Sequence, residues 1–359
     1  MRSIWKYEEN NGNVTITGIN DRKVVGAVAI PDTLDGHPVT GIGEFAFWEY
    51  SGIKRVTIPD SVTHIGDFAF EGCSGLKDVT IPAKVTSIGQ EVFCGCSGLT
   101  DVTIPAGVTR IGRAAFAGCS GLTRMELPDG VTLIGELAFN LCSGLTRVRI
   151  PDSVTDIGEG AFRGCHGLAD KNGFVVLGGV LYDYCGVGGD VLIPEGVERI
   201  GDEVFQFHDE LTGVTISGSV TCIGARAFEG CENLVRVMIP DSVTEIGGLA
   251  FSGCRGLADV NGFVVVQNVL YSYFGKGGDV VIPDGVKCIE TRAFSEDELF
   301  GNDMSAECPH LTSVTIPDSV TAIEAAAFEG CSGLTCVSVP EGAEIDEDAF
   351  DKGVSITRR

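Results

Sequence analysis

Residues 76–98 read LKDVTIPAKVTSIGQEVFCGCSG, from Leu76 to Gly98. Apolar residues fall in the order L-x-x-V-x-I-P, then V-x-x-I-G, then V-F-x-x-C. Val79 and Ile81 alternate with Thr80, so the first segment is a short strand with Thr80 facing the other way. Pro82 has no N–H to give a ladder, so it ends that strand and opens a turn. Val85 to Ile88 is a second short extended stretch. Gly89 is expected to supply a corner, with a short helical or 3-10 turn leading to Phe93. A unit of this size cannot bury its apolar side alone and needs copies of itself to stack upon.

The copies are present. Ile-Pro occurs at Ile30, Ile58, Ile81, Ile104, Ile150, Ile193, Ile239, Ile282 and Ile316, with Leu127-Pro128, Val339-Pro340 and Ile216-Ser217 as variants. From Ile58 to Ile150 the step is 23 residues, four times in succession. A phenylalanine keeps the same step, at Phe47, Phe70, Phe93, Phe116, Phe139, Phe162, Phe205, Phe228, Phe251, Phe294, Phe328 and Phe350. Both anchors count twelve. The expected fold is therefore a mainly β repeat solenoid of about twelve coils, each strand ~4.8 Å from its counterpart. With so many coils, 359 residues need not mean several globular domains.

The string IPDSVTxIGxxAFxGCSGLTxVTIP, carried by Ile58 through Phe70, Cys73 and Leu76 and by its later copies, resembles the BspA-like, Treponema-type class of leucine-rich repeats. The resemblance runs from about Ile30 to Phe350. It implies a curved leucine-rich-repeat solenoid with a parallel sheet on its concave face. It also implies a part of a bacterial or parasite surface protein, in some cases one adhering to host proteins, and hence a cell-surface or secreted location.

The repeat breaks in three places. Ile150 to Ile193 and Ile239 to Ile282 are each 43 residues, and their extra segments, 89 residues apart, are alike. Near 173–190 and 262–279, two β-rich runs flank Gly178-Gly179 or Gln267-Asn268, the pattern of a β-hairpin. Each is read either as a decorated coil or as a protruding contact surface; the resembling family carries the same GFVV…VLYxYxGxGGD element. The third break, at 295–307, is dense in acids without the ligand positions of an EF-hand, and is read as a solvated acidic loop. Residues 1–29, with strand-like runs at Val14, Ile16 and Val24-Val25, form an expected N-terminal β cap. The solenoid spans 30–350, and 351–359 close the other end. Asn13-Val14-Thr15 is a glycosylation sequon, relevant in a eukaryotic secretory setting.

Nine of fourteen cysteines share one repeat position: Cys73, Cys96, Cys119, Cys142, Cys165, Cys231, Cys254, Cys308 and Cys331. Tyr50 and His208 fill it elsewhere. A row of parallel side chains cannot converge tetrahedrally on zinc, and its members point the same way, against bridge geometry. They are read as small buried apolar groups, unbridged, as suits a reducing setting. No metal or cofactor is expected.

The formal charge of −25 and pI near 4.4 oppose nucleic acid. No apolar run approaches the ~18 residues of a membrane span, so no membrane insertion is expected. The first ten residues lack the apolar core of a secretory leader, so a cytoplasmic location stays open. His37, His64, His166, His208 and His310 fall in no catalytic pattern, the glycine-rich strings lack phosphate-loop spacing, and no serine stands in G-x-S-x-G. Asp60, Asp129, Asp152, Asp241, Asp284 and Asp318 recur after Ile-Pro or Leu-Pro as turn residues. Enzymatic activity is not expected.

Outward side chains along the first strands remain. Between Val and Ile, threonine is the default, and the row departs from it at Glu126, Arg149, Leu192, Met238 and Val281. Two positions earlier stand Arg55, Asp78, Asp101, Arg124, Arg147 and Arg236. Arg124, Arg147 and Arg149 should form a basic spot on an acidic chain, suited to an acidic partner, or else solvated positions with local Arg–Glu pairing. The candidate binding residues are Arg124, Glu126, Arg147, Arg149, Leu192, Arg236 and Met238. The leading expectation is a monomeric, non-enzymatic adhesion module taking a protein or glycan ligand on the sheet face and hairpins. The alternative is a structural spacer of a larger surface protein, a rod or arc about 55–60 Å long.

Overall fold

The structure, a computed structural model, describes residues 4–21, 23–295 and 311–359. The acidic insertion beyond Ser295, with Cys308 and His310, lies outside the described residues. The chain divides into two compact units: Met1–Leu177 with Tyr182–Gly186, and Gly178–Leu181 with Val187–Arg359.

In the first unit each coil holds two short strands. Asp78–Thr80 and Ser87–Ile88 serve the coil that opens at Leu76. Val79 and Ile88 are buried and Thr80 is exposed, as the alternation requires. Pro82 ends the first strand, and its carbonyl takes the Val85 N–H at 3.0 Å; Pro59, Pro105, Pro128 and Pro151 do the same. First strands stack parallel from Gly26–Ala29 through Ile53–Thr57 and Asp78–Thr80 to Asp101–Thr103, in register apart from a shift after Gly26. Arg124–Glu126 pairs likewise with Arg147–Arg149. Second strands form their own ladder from Ser87–Ile88 to Asp156–Ile157. Between the ladders the core phenylalanines stack, from Phe47 on Phe70 at 5.0 Å to Phe139 on Phe162 at 5.3 Å.

Two local expectations need revision. Gly89 and its equivalents do not have left-handed torsions. A Cβ on Gly112 would lie 2.6 Å from the backbone carbon of Gly89, and one on Gly66 2.6 Å from the Glu44 nitrogen. The requirement is close approach of successive coils, not a corner. The segment from Gly89 to Phe93 is a run of turns, because Glu91, two residues before the core phenylalanine, sits at φ 53°. Its N–H donates to Arg113 of the next coil at 2.9 Å, not back along a helix. Three-residue 3-10 helices occur at His166–Leu168 and Arg255–Leu257.

At the start, Trp5–Asn10 pairs antiparallel with Asn13–Ile19 around Asn11 and Gly12, both at positive φ. The Trp5 ring sits edge-on to Phe47 at 6.4 Å and closes the ring stack. The strand expected at Val24-Val25 is displaced to Gly26–Ala29.

In the second unit, Gly189–Leu192, Leu211–Thr215 and Arg236–Met238 stack in parallel, in register apart from a shift after Gly189. Gly278–Val281, Leu311–Thr315, Cys336–Val339 and Ser355–Arg358 form a further parallel sheet. Phe263–Val266 and Val269–Tyr273 pair antiparallel across Gln267 and Asn268. The returning strand is also a coil strand: Val269 and Leu270 pair in parallel with Cys288 and Ile289. Its Tyr271 meets Phe251 edge-on at 5.5 Å, and Tyr273 lies 5.1 Å from Phe294. In the first unit Tyr182 meets Phe162 in the same way, at 5.4 Å. The insertions thus lend their tyrosines to the ring stack, while the strand Phe263–Val266 buries Phe263, Val264 and Val266 and leaves Val265 and the turn at Gln267 and Asn268 exposed.

Candidate binding surfaces

In the first unit, register places Arg124 beside Arg147 and Glu126 beside Arg149. The basic side chains do gather, but two of the three are engaged. Arg124 pairs with Asp101 at 3.0 Å, and Arg149 reaches Asp129 at 2.6 Å and the Leu127 carbonyl at 3.0 Å. Those aspartates hold both guanidinium groups further into their charged form, the hydrogen bond being the larger cause. Arg147 has no ion-pair partner among the described residues. A groove of about 340 Å³ runs between Asp101–Ile104 and Arg124–Pro128, with Arg149 at its side.

In the second unit, Leu192, Thr215 and Met238 are register neighbours, and Leu192 and Met238 are 65% and 60% exposed. Arg236 reaches past the intervening strand to Asp190 at 2.6 Å. Gly213 makes this possible: it sits between them, and a Cβ there would lie 2.4 Å from Asp190 Oδ1 and 3.0 Å from Arg236 Nε. A groove of about 430 Å³ separates Arg236–Ile239 from Val265–Gln267 of the insertion, with Leu257 in its wall.

The cysteine position is not merely apolar. Cys73, Cys96, Cys119, Cys142, Cys165, Cys231 and Cys254 are fully buried free thiols. Each donates to the carbonyl of the phenylalanine 26 residues earlier, at 2.9–3.2 Å. Tyr50 fills the position with its hydroxyl on the Ile19 carbonyl at 2.9 Å. Cys331 departs from the expected unbridged row, being disulfide-bonded. No three His, Cys, Asp or Glu side chains converge to hold a metal ion among the described residues.

Two His–acid pairs occur among the described residues, His37 Nε2 to Glu9 Oε1 at 3.6 Å and His166 Nε2 to Asp183 Oδ2 at 3.2 Å. Asp183 is occupied by turn chemistry, accepting the Gly164 N–H at 2.8 Å and the Tyr184 N–H at 2.9 Å. In the duplicated segment Ser272 accepts the matching Gly253 N–H at 3.0 Å, so the position serves the fold.

Two strands per turn, parallel ladders and a ring stack within each unit define a leucine-rich-repeat β-solenoid. The chain belongs to the BspA type leucine-rich repeat family, whose pattern matches in six copies over residues 40–169, 180–300 and 298–358. Among solved structures, a leucine-rich cell surface protein of Faecalibacterium prausnitzii A2-165 is 29% identical, covering 99% of this chain and 97% of that one with a TM-score of 0.53. A leucine-rich repeat protein from Eubacterium ventriosum ATCC 27560 is 24% identical over 98% of this chain and 92% of that one, TM-score 0.51. The pneumococcal vaccine antigen PcpA is 17% identical over 100% and 98%, TM-score 0.53. No curated protein sequence matches the chain. No helix among the described residues is long and apolar enough to cross a membrane.

Sequence reasoning overlooked one surface. Phe45, Trp48 and Phe68 lie together in the first unit. The available signal was Phe45 and Phe68, 23 residues apart at a position that elsewhere varies freely.

Proposed function

We propose that the chain is a non-enzymatic binding and adhesion module of a bacterial cell-surface or secreted protein, acting as a monomer. Its ligand is a protein segment with apolar and acidic side chains, taken on the open faces of the first strands. The observation that carries this reading is the second unit's groove between Arg236–Ile239 and Val265–Gln267, beside the exposed Leu192 and Met238. Soluble repeat proteins gain nothing in stability from large apolar side chains on a sheet's wet face, whereas such residues beside arginine favour an interface. In the first unit, unpaired Arg147 contributes charge, with Arg124, Glu126 and Arg149 around it. The 29% identical cell-surface protein of F. prausnitzii supports the location.

The test immobilises the intact chain and measures binding of purified host extracellular-matrix proteins and of neutral glycans. Saturable protein binding weakened about tenfold or more by Met238→Asp, and less by Arg147→Glu, is the expected result. Equal binding by both variants overturns this assignment of the surface. Binding of glycan alone replaces the ligand class, and no saturable binding leaves the spacer.

A further inference from the structure

The first unit carries a second surface, built on its turns and not on its strands. Two residues before each core phenylalanine the backbone is left-handed, with φ 55° at Phe45, 59° at Phe68, 53° at Glu91 and 50° at Ala114. Phe45 is 47% exposed, although Phe47 two residues later is fully buried. The rings of Phe45 and Phe68 stack at 4.7 Å and 10°, and Trp48 stands edge-on to Phe45 at 6.5 Å and 85°. The 23-residue step continues this column into Glu91 and puts Glu71 next to Trp48. An aromatic platform open to water is thereby bordered by carboxylates.

Those carboxylates are crowded. Glu71 is held above its ordinary value, first by desolvation and then by the charges of Glu91 and Glu49. Glu91 leans on Arg113 at 3.4 Å, which also serves Glu136 at 3.5 Å. Glu49 and Glu71 have no ion-pair partner among the described residues. An exposed ring face attracts a cation, and flanking carboxylates add to that attraction. A neutral sugar would stack on the ring but leave the repulsion among the acids in place.

We propose that Phe45, Phe68 and Trp48 form a docking platform for an arginine or lysine side chain presented by a basic segment of a protein partner. Arginine fits better than lysine, because its flat guanidinium stacks on the ring while its edge donates to Glu71 and Glu49. The chain's charge of −25 steers such a segment inward at low salt. This platform is separate from the strand faces assigned above and takes a partner of opposite charge preference.

The experiment uses the full chain carrying Trp5→Phe, so that Trp48 alone reports, since the sequence has two tryptophans. It is titrated with an Arg-Gly peptide, a Lys-Gly peptide, a neutral Ser-Gly peptide and neutral glucose oligosaccharides. The expected result is a saturable fluorescence change with the Arg-Gly peptide, weaker with Lys-Gly and absent with Ser-Gly. Affinity should fall about threefold to tenfold in Phe45→Ala, and similarly in Glu71→Gln. Phe45→Ala is compatible with the fold because Ala114 and Ala326 occupy the same left-handed position, and Phe45→Tyr should restore binding. Unchanged Arg-Gly affinity in Phe45→Ala would reduce the effect to diffuse attraction by an acidic chain and overturn the proposal. So would a Trp48 response to the oligosaccharides without one to the peptides.

Discussion

The thiol of Cys119 donates to the carbonyl oxygen of Phe93, one coil earlier, at 3.2 Å. That carbonyl also receives the Cys96 N–H at 3.1 Å, closing the turn of its own coil. A group at this position must be small, apolar enough for complete burial, and able to donate one weak hydrogen bond. Cysteine meets all three conditions, which explains its recurrence among the free thiols of the row, Cys331 being the bridged exception. Cys119→Ala removes the sulfur's packing and its bond while orphaning no backbone group. It should lower stability by about 1–2 kcal/mol, read as a lower denaturant midpoint with the repeat array still folded.

Burial also makes these thiols poor nucleophiles. Desolvation pushes Cys73 and Cys142 up to about 12, and Cys96 and Cys119 well above their ordinary value of 9.0. Iodoacetamide at pH 8 should therefore label the exposed Cys185 and Cys336 in the native chain and spare the buried row. Peptide mass mapping decides this, and labelling of Cys119 ahead of Cys336 would contradict it.

The same shifts set a sign for alkaline stability. In the unfolded chain these thiols ionise near 9, whereas in the folded chain they stay protonated until about 12 for Cys73 and Cys142. Above pH 9 the unfolded state has therefore released protons that the native state still holds. The stabilisation is complete below pH 9 and is lost as pH rises towards 12. Tm should fall steeply over that interval under reducing conditions, and less steeply in a Cys73→Ala, Cys142→Ala double variant.

The glycine after each second-strand isoleucine tests the packing of successive coils. A Cβ on Gly112 would fall within 2.7 Å of the carbonyl carbon and oxygen of Gly89, both backbone atoms without freedom to move. Gly218 has open space around its Cβ position and no left-handed torsion. Gly112→Ala should cost about 1–3 kcal/mol through forced separation of two coils. Gly218→Ala should be neutral or stabilise by about 0.4–1 kcal/mol by restricting the unfolded chain. Equal Tm values for the two variants would refute the close-approach account.

The fold was readable because stacking converts a 23-residue step into spatial contact. Ile58, Ile81 and Ile104 announce strands, and Phe70, Phe93 and Phe116 announce the ring stack, by their spacing alone. Contacts at that step were also within reach: Asp101 stands one repeat before Arg124, and they pair. What escaped depends on features that periodicity does not encode. The strand Val269–Tyr273 reads in sequence as half of a hairpin, compatible with either a decorated coil or a protruding surface, and only its parallel pairing with Cys288–Ile289 shows why Leu270 and Tyr271 are buried. Gly89 looked like a corner because glycine commonly is one, while the real constraint comes from the neighbouring coil. Phe45 and Phe68 were hidden by the stronger signal of Phe47 and Phe70 beside them.

A last relationship joins stability to the proposed surface. Arg236 and Asp190 are 46 residues apart, and their 2.6 Å contact crosses the position of Gly213. Both side chains are more than half exposed, so the pair contributes at most about 1 kcal/mol and less in salt. Gly213→Ala would place a methyl group where the Asp190 carboxylate now lies, separating the pair. Tm should therefore change little, by roughly 2 °C or less. Arg236, released from Asp190 at the edge of the groove formed with Val265–Gln267, would offer its full charge to an acidic segment. Gly213→Ala should then strengthen ligand binding about threefold at low salt, with the gain vanishing in a Gly213→Ala, Arg236→Gln double variant. Weaker binding in Gly213→Ala with unchanged Tm would mean that the Arg236–Asp190 pair itself, not the freed arginine, is what the ligand meets.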